Sequence, residues 1–399
     1  MTWIAREIVD TLRTLHRQRP ALLLTGSRQV GKTSLLERTF ADHRYASLDL
    51  PAVAEEAETA GEQFLERHPP PLILDEVQYA PKLFRYLKHA IDRDRGSNGR
   101  YLLTGSQKLS LMHGASESLA GRVSVVDLYS LSLREIETLR RRPLDRRALL
   151  EAMFAGGYPD LVANDLSPAR YYADYVATYL ERDVRQIVQV RSLRDFDRFL
   201  RLCALRTGQL LSMNALAADV GTSPNTIRSW LSVLEASGVI LLLEPYFRNL
   251  GKRIVKTPKL YFLDTGLASF LAGFDGPRAL GGSALIGPMF ETLALGQMVR
   301  HFANRGLRPN LYFYRDHQGN EVDFVIPIGE KLRLIECKWS ETPSPGARGF
   351  DALTKALGPG GIIDRTILVP VAPGRRSRDG VAIEGCVQLR FLDGAAPAA

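Results

Sequence analysis

Long apolar runs are absent from this 399-residue chain. No segment approaches the roughly 20 consecutive apolar residues that a helical bilayer crossing takes. The stretch from Met1 to Arg19 interleaves Arg, Glu and Asp with its apolar side chains, so it lacks the core of a secretory signal. Cysteine is scarce as well. The three that occur, Cys203, Cys337 and Cys386, lie far apart without metal-ligand spacing. That argues against a zinc module and against a disulfide framework, and fits a reducing compartment. No self-similarity recurs at solenoid periods, which excludes a repeat array. A cytoplasmic protein without membrane contact is the expectation.

What is present is a globular balance, with 45% hydrophobic and 24% charged residues. The length implies about two to four domains. Lys and Arg number 52 against 44 Asp and Glu, a formal net charge of +8. That excess permits contact with phosphate backbones, because each neutralised phosphate releases counterions. It does not prove such contact.

The opening region alternates short apolar runs with helical patterns, the signature of a parallel α/β sheet. Ala21–Thr25, Leu72–Asp75 and Tyr101–Thr104 read as strands buried on both faces, and Tyr45–Leu50 as a further strand. From about Leu131 to Gln189 the pattern is helical, with Leu149–Phe154 and Tyr171–Ile187 the clearest pieces and Gly156–Pro159 a turn between them. A second helical segment runs from about Leu193 to Leu271. Gly273–Gly282 is loop-like. The region from about Ser283 to Leu392 starts with a helix and returns to strands. These shifts divide the chain at 1–130, 131–192, 193–282 and 283–399.

Gly26-Ser27-Arg28-Gln29-Val30-Gly31-Lys32-Thr33 matches G-x-x-x-x-G-K-[ST] in full, preceded by the strand and followed by the apolar helix Ser34–Phe40. Glycines let the backbone wrap phosphates, and amides at the helix start bind their oxygens. Lys32 would reach the β- and γ-phosphates of ATP, and Thr33 would place its hydroxyl on Mg²⁺. Leu72-Ile73-Leu74-Asp75-Glu76 supplies the second half: Asp75 at a buried strand end to hold Mg²⁺, Glu76 to orient and polarise the attacking water. Thr104 and Ser106, at the third strand end, are candidates to sense the γ-phosphate. Each fragment alone has a bland explanation as a glycine turn or a strand reaching solvent. In order and in context they define a nucleotide site. Arg122, Arg182 and Arg185 are candidates for an arginine finger acting across a subunit interface in a homo-oligomer.

Between the two outer regions, Ser212–Val220 and Asn225–Ser237 read as helices joined by Gly221–Pro224. Ile227, Trp230, Leu231 and Leu234 share the inner face of the second. Val239–Glu244 and Lys259–Leu263 follow as strands. Helix, short turn, helix and β-wing is the layout of a winged helix. Asn225, Arg228 and Ser229 stand on the outer face, and Arg248, Lys252, Arg253 and Lys256 in the wing, as candidate contacts to DNA phosphates or bases. A protein-interaction module with a solvated basic face is the alternative.

Near the end, Gly319–Ile326 and Leu332–Trp339 read as neighbouring strands. Glu336 and Lys338 project from one face of the second, and pairing brings Asp323 beside them. Asp323, Glu336 and the backbone carbonyl of Cys337 form an oxygen-rich set suited to a second divalent ion, Mg²⁺ or Mn²⁺, with Lys338 stabilising charge on a phosphate. Glu291 falls on the apolar row of an amphipathic helix, Phe290–Phe302, where a carboxylate needs a partner, either that ion or a nearby Lys. A solvated charge pair on an edge strand is the plainer explanation of Glu-x-Lys alone.

LLLTGSRQVGKTSL, LILDEVQ, YLLTGSQ and LAGRV in the first half, with GGYP, YLERDV, KTPKLYFLDTG, LASFL, FETL, GNEVDFVI and LIECKWS after it, resemble the AAA-type ATPases of bacteria and archaea whose C-terminal half has long been described as of unknown function. The resemblance spans about Leu15 to Trp339. It implies an α/β architecture: a parallel-sheet AAA-like core, a helical lid, a winged helix and a restriction-endonuclease-like PD-(D/E)xK domain. It carries the nuclease-like positions onto Glu291, Asp323, Glu336 and Lys338. A sensor arginine in the lid is the one part of the usual AAA pattern not evident here. The resulting expectation is an ATP-hydrolysing, DNA-handling protein with metal-dependent nuclease chemistry at its end. A non-cleaving ATP-dependent switch that binds a partner protein is the competing one.

Overall fold

A computed structural model describes residues 3–106, 118–180, 192–247, 255–340, 342, 348–371, 375–376 and 380–392. Its first layer follows from strands with no polar face. β1 (Ala21–Thr25), β3 (Leu72–Asp75) and β4 (Tyr101–Gly105) are buried along their whole length. They lie inside a five-stranded parallel sheet of order β2-β3-β4-β1-β5, completed by β2 (Arg44–Ser47) and β5 (Val123–Asp127). α1 (Val9–Gln18) leads into β1, and the crossovers that parallel strands need carry α2 (Lys32–Thr39), α3 (Pro51–Thr59), α4 (Gly61–Arg67) and α5 (Leu83–Arg93). Every strand points the same way, so the segments after β1, β3 and β4 emerge on one edge of the sheet. Those are the three segments that carry the phosphate-binding motif, Asp75–Glu76 and Thr104–Ser106.

The expected strand Tyr45–Leu50 stops at Ser47. Asp49 donates its amide to Ser47 Oγ at 3.3 Å, and Pro51 then opens α3 at its first position. The turn chemistry overrides the apolar pattern.

Helices follow β5. α6 (Leu133–Arg140) starts with a reciprocal capping box between Ser132 and Glu135. α7 (Arg146–Ala155), capped by Asp145, ends at Gly156, whose φ of 80° suits glycine. α8 (Pro159–Ala163) and α9 (Pro168–Tyr175) pack Tyr158, Tyr171, Tyr172 and Tyr175 against one another. The helix expected over Tyr171–Ile187 continues α9 as a π-helical turn to Leu180. Residues 181–191, with Arg182 and Arg185, lie outside the described residues.

α10 (Leu193–Leu205) leads to β6 (Gln209–Leu210), then α11 (Met213–Val220) and α12 (Pro224–Ala236), with Ser212 and Ser223 as their N-caps. Ile227, Trp230, Leu231 and Leu234 are buried as their spacing demands, against Phe196 and Phe199 of α10 in the case of Trp230. β7 (Ile240–Leu243) and β8 (Lys259–Phe262) pair antiparallel, and β6 joins β8 on its other side. α13 (Thr265–Leu271) and α14 (Pro277–Gly281) follow.

α15 (Ile286–Ala303) was expected to be amphipathic. Instead every residue from Met289 to Ala303 is buried except Glu291, which is half-buried. The helix is central because it contacts β8, β11, α7 and α13 together. The last layer is a mixed sheet of order β13-β14-β12-β11-β10-β9. It comprises β9 (Tyr312–Arg315), β10 (Glu321–Ile328), β11 (Lys331–Cys337), β12 (Ile362–Val369), β13 (Arg375–Arg376) and β14 (Ala382–Gly385), with α16 (Arg348–Leu357) packed on it. β10 and β11 are antiparallel, whereas β11 and β12 are parallel. No helix among the described residues is long and apolar enough to cross a membrane.

Candidate nucleotide site and the C-terminal carboxylate cluster

The phosphate loop turns where its glycines allow it. Gly26 lies so close to the chain after β5 that an added Cβ would sit 2.1 Å from the Leu128 carbonyl oxygen. Gly31, at φ 87°, caps α2 in a conformation that other side chains adopt at a cost. Lys32 opens α2, is buried, and donates from Nζ to the carbonyls of Gly26 and Ser27 at 3.0 Å each. Its ammonium therefore lies in the cup of the loop. Ser27 and Val30 are buried, Arg28 is half-buried, and Gln29 and Ser34 are exposed.

Thr33 Oγ1 donates to Asp75 Oδ1 at 2.8 Å, which joins the two halves of the motif across β1 and β3. Thr33 and Asp75 therefore fit the holding of Mg²⁺, which when bound would neutralise charge developing on the γ-phosphate. Asp75 also accepts from the Thr104 hydroxyl and, through Oδ2, from the Tyr45 hydroxyl at 3.0 Å. Burial, and next the Asp75 charge, push the Tyr45 phenol up to about 12.

Glu76 follows with φ 56°. Its amide donates to Thr104 Oγ1 at 3.1 Å, and its carboxylate accepts from Ser106 Oγ at 3.2 Å and from Gln78 Nε2. Thr104 and Ser106 were expected to face the phosphate. Here their hydroxyls are spent on the two carboxylates, fixing where Asp75 and Glu76 point.

Arg122, a candidate finger across a subunit interface, lies away from the phosphate loop of its own chain. It precedes β5, at the opposite edge of the sheet from the phosphate loop, and donates through Nε and Nη2 to both oxygens of Asp92 at 2.9 Å. Within the chain it fastens the start of β5 to α5.

Three residues at the loop carried no signal in the sequence. Arg6 donates to the Val30 carbonyl at 3.0 Å, to the Tyr129 carbonyl at 2.7 Å and to Glu135 at 3.0 Å. Tyr171 donates to Gln29 Oε1 at 2.6 Å. Tyr45 is the third. An Arg or Tyr outside any motif looks like many others, and only the fold brings Arg6 and Tyr171 to the loop and Tyr45 to Asp75.

At the far end of the chain, Phe324 pairs with Ile335, and continuing that register sets Asp323 against Glu336. Asp323 is buried and accepts from the Cys337 amide at 2.7 Å. Cys337 thus approaches with its N–H rather than the carbonyl expected of it. Burial first, then the Glu291 and Glu336 charges, hold the Asp323 carboxyl well above the usual range. Burial raises Glu336 too, against the opposing pull of Lys338, whose ammonium is 2.6 Å from Glu336 Oε1. Glu336 Oε2 is buried without a partner.

Glu291 accepts from Lys259 Nζ at 2.9 Å and from the Tyr261 hydroxyl. The divalent-ion site expected at Glu291, Asp323, Glu336 and Cys337 does not fit this arrangement. N–H and O–H donors already point at oxygens an ion would need. Among the described residues, no group of three or more His, Cys, Asp or Glu side chains is gathered to hold a metal. Lys259 and Tyr261, within the KTPKLYFLDTG stretch, are the partners that the sequence left unnamed.

The profile described as AAA domain matches residues 18–137. Two described as Domain of unknown function, DUF8612 and DUF4143, match residues 146–278 and 286–374. With the loop, Thr33 and Asp75 placed as above, the class is that of an AAA-type P-loop ATPase, and such ATPases use nucleotide with Mg²⁺. The chain belongs to the same family as an uncharacterized protein of Mycobacterium tuberculosis, 32% identical over 334 residues, which span 83% of this chain and 73% of that protein. An uncharacterized protein of Mycobacterium bovis matches to the same extent, 32% over 334 residues.

Among solved structures, a Walker-type ATPase of Pyrococcus abyssi aligns with a TM-score of 0.45 at 18% identity, over 66% of this chain and 94% of that one. RuvB of Thermotoga maritima aligns at 0.32 and 18%, over 60% and 90%.

Proposed function

We propose that the chain couples ATP hydrolysis to the gripping of DNA. Lys32 holds the β- and γ-phosphates, Thr33 and Asp75 hold Mg²⁺, and Glu76 orients the attacking water once its carboxylate leaves Gln78 and Ser106. The four units at 1–130, 131–192, 193–282 and 283–399 serve as ATPase core, lid, winged helix and PD-(D/E)xK-like domain. The cytoplasm is where such a protein would meet its DNA.

The observation that carries the DNA reading is the two-sidedness of α12. Its buried stripe seats the helix, while Asn225, Arg228 and Ser229 are exposed on the other side, as a helix offered to a groove requires. Exposed Lys256 precedes β8. Arg248, Lys252 and Arg253, the other wing candidates, lie outside the described residues. A homo-oligomer, such as a ring, belongs to the same proposal: an arginine reaching the γ-phosphate would come from a neighbouring copy, since Arg122 is held by Asp92.

The deciding experiment is duplex DNA binding against salt concentration. Affinity falling steeply with salt, with a shallower slope in Arg228→Ala, supports the proposal. Weak, salt-insensitive binding sinks it and leaves the switch that binds a partner protein.

A further inference from the structure

Lys259 is a lysine with almost no exposure to water. It opens β8, in the three-stranded sheet, yet its partners belong to other layers. Its side chain is 2% exposed, and its ammonium meets Glu291 of α15 at 2.9 Å and Glu321 of β10. The Phe313 ring centroid lies 5.5 Å away. Tyr261, two residues along the same strand, sends its hydroxyl to Glu291. Arg315 holds Glu321 from the other side at 2.8 Å. Asp323 and Glu336 sense the same charges: Glu291 acts on both, and Lys259 on Asp323.

Burying an ammonium is costly unless carboxylates surround it, and a hard divalent ion asks for the same converging carboxylate oxygens. One such set has room for one of the two. Lysine is covalently delivered and always present, whereas an ion must be captured. A single charge also suits a pair of carboxylates already relieved by Tyr261 and Arg315.

We propose that the Lys259 ammonium is a built-in replacement for a divalent cation between Glu291 and Glu321, and that removing it turns this pair into a Mn²⁺- or Mg²⁺-binding site. Tethered in this way, β8 and the C-terminal sheet are held together without metal. The inference stands whether the polymer gripped is DNA or something else, and it concerns the Glu291 side of the cluster alone.

The test uses the full chain, with nucleotide absent, and Mn²⁺ as the probe. Bound Mn²⁺ is counted by electron paramagnetic resonance in the wild type and in Lys259→Met, alongside melting temperature with and without Mn²⁺. Lys259→Met is expected to melt lower than wild type in EDTA, to recover several degrees in Mn²⁺, and to bind one Mn²⁺ more per chain. The charge-compensated Lys259→Met, Glu291→Gln chain is expected to fold without the ion and to lose both the added Mn²⁺ and the recovery.

Equal Mn²⁺ counts in wild type and Lys259→Met overturn the proposal, as does an unchanged melting temperature of Lys259→Met in Mn²⁺. Salt-dependent DNA binding, measured on the same samples, reports separately on the DNA reading. Its loss in wild type would leave the Mn²⁺ result intact.

Discussion

The guanidinium of Arg6 touches the Val30 carbonyl inside the phosphate loop and the Glu135 carboxylate at the head of α6, each at 3.0 Å. The side chains of Arg6 and Glu135 are 5% and 1% exposed. One buried cation thus ties the nucleotide loop to the helices that follow the sheet. Glu135 also accepts the Ser132 amide, and the neighbouring Leu133 amide goes to Gln297 of α15. Removing Arg6 strands a buried carboxylate, which costs about 3–5 kcal/mol. Arg6→Ala is expected to lower unfolding stability by that order in urea melts. Arg6→Lys, which keeps the charge but not the fork, should fall between Arg6→Ala and wild type. An Arg6→Ala chain as stable as wild type would refute the role.

The nucleotide site predicts two separable defects. Lys32→Ala should abolish ATP binding, because the ammonium in the loop is the charge that meets the phosphates. Glu76→Gln should bind ATP as wild type does and lose about 10²–10⁴-fold in turnover, the range for a lost general base. Fluorescent-nucleotide titration and a phosphate-release assay distinguish the two. Equal turnover in Glu76→Gln and wild type removes Glu76 from the chemistry.

Asp264 gathers five donors. It accepts from Ser130 Oγ at 2.8 Å, Tyr172 at 2.9 Å, the Gly157 and Gly266 amides at 3.0 Å and the Leu267 amide at 3.3 Å. Arg300 lies beside it and donates to the Ser130 and Leu263 carbonyls at 2.8 and 2.9 Å. The LDTG and GGYP stretches therefore meet at one buried charge. Asp264→Ala is expected to cost about 3–5 kcal/mol, because Arg300 loses its neighbouring carboxylate and the amides are orphaned. Asp264→Asn should cost less, since it keeps one acceptor oxygen. Denaturant midpoints read both, and an Asp264→Ala chain with a wild-type midpoint would contradict this.

Asp323 sets a pH dependence. Its folded carboxyl is held well above the usual range by burial and by Glu291 and Glu336, so the native chain binds a proton that the unfolded chain has released. Its contribution is fully present below the unfolded value of about 3.9 and is lost as pH rises through the folded one. In EDTA, Asp323→Asn is therefore expected to flatten the fall in stability from pH 5 to pH 8 and to gain on wild type at the upper end. A variant that loses stability most at pH 8 would show that Asp323 is charged there.

Local pattern was enough wherever chemistry and chain order coincide. The GSRQVGKT loop, the LILDE strand end and the YLLT strand lie close together in sequence logic, because a parallel sheet puts consecutive strand ends on one edge. The stripe Ile227, Trp230, Leu231, Leu234 needed only helical spacing. Even the pairing of Asp323 with the Glu336 strand followed from strand alternation.

What spacing could not reveal are partners joined across layers. Lys259 reaching Glu291 and Glu321, Arg6 reaching Val30, Arg122 turned to Asp92, and Asp264 binding Tyr172 are all contacts between residues distant in sequence. A charge has no period along the chain: whether a carboxylate waits for an ion or already has its cation depends on what the fold buries beside it, and Lys259 decided that at Glu291.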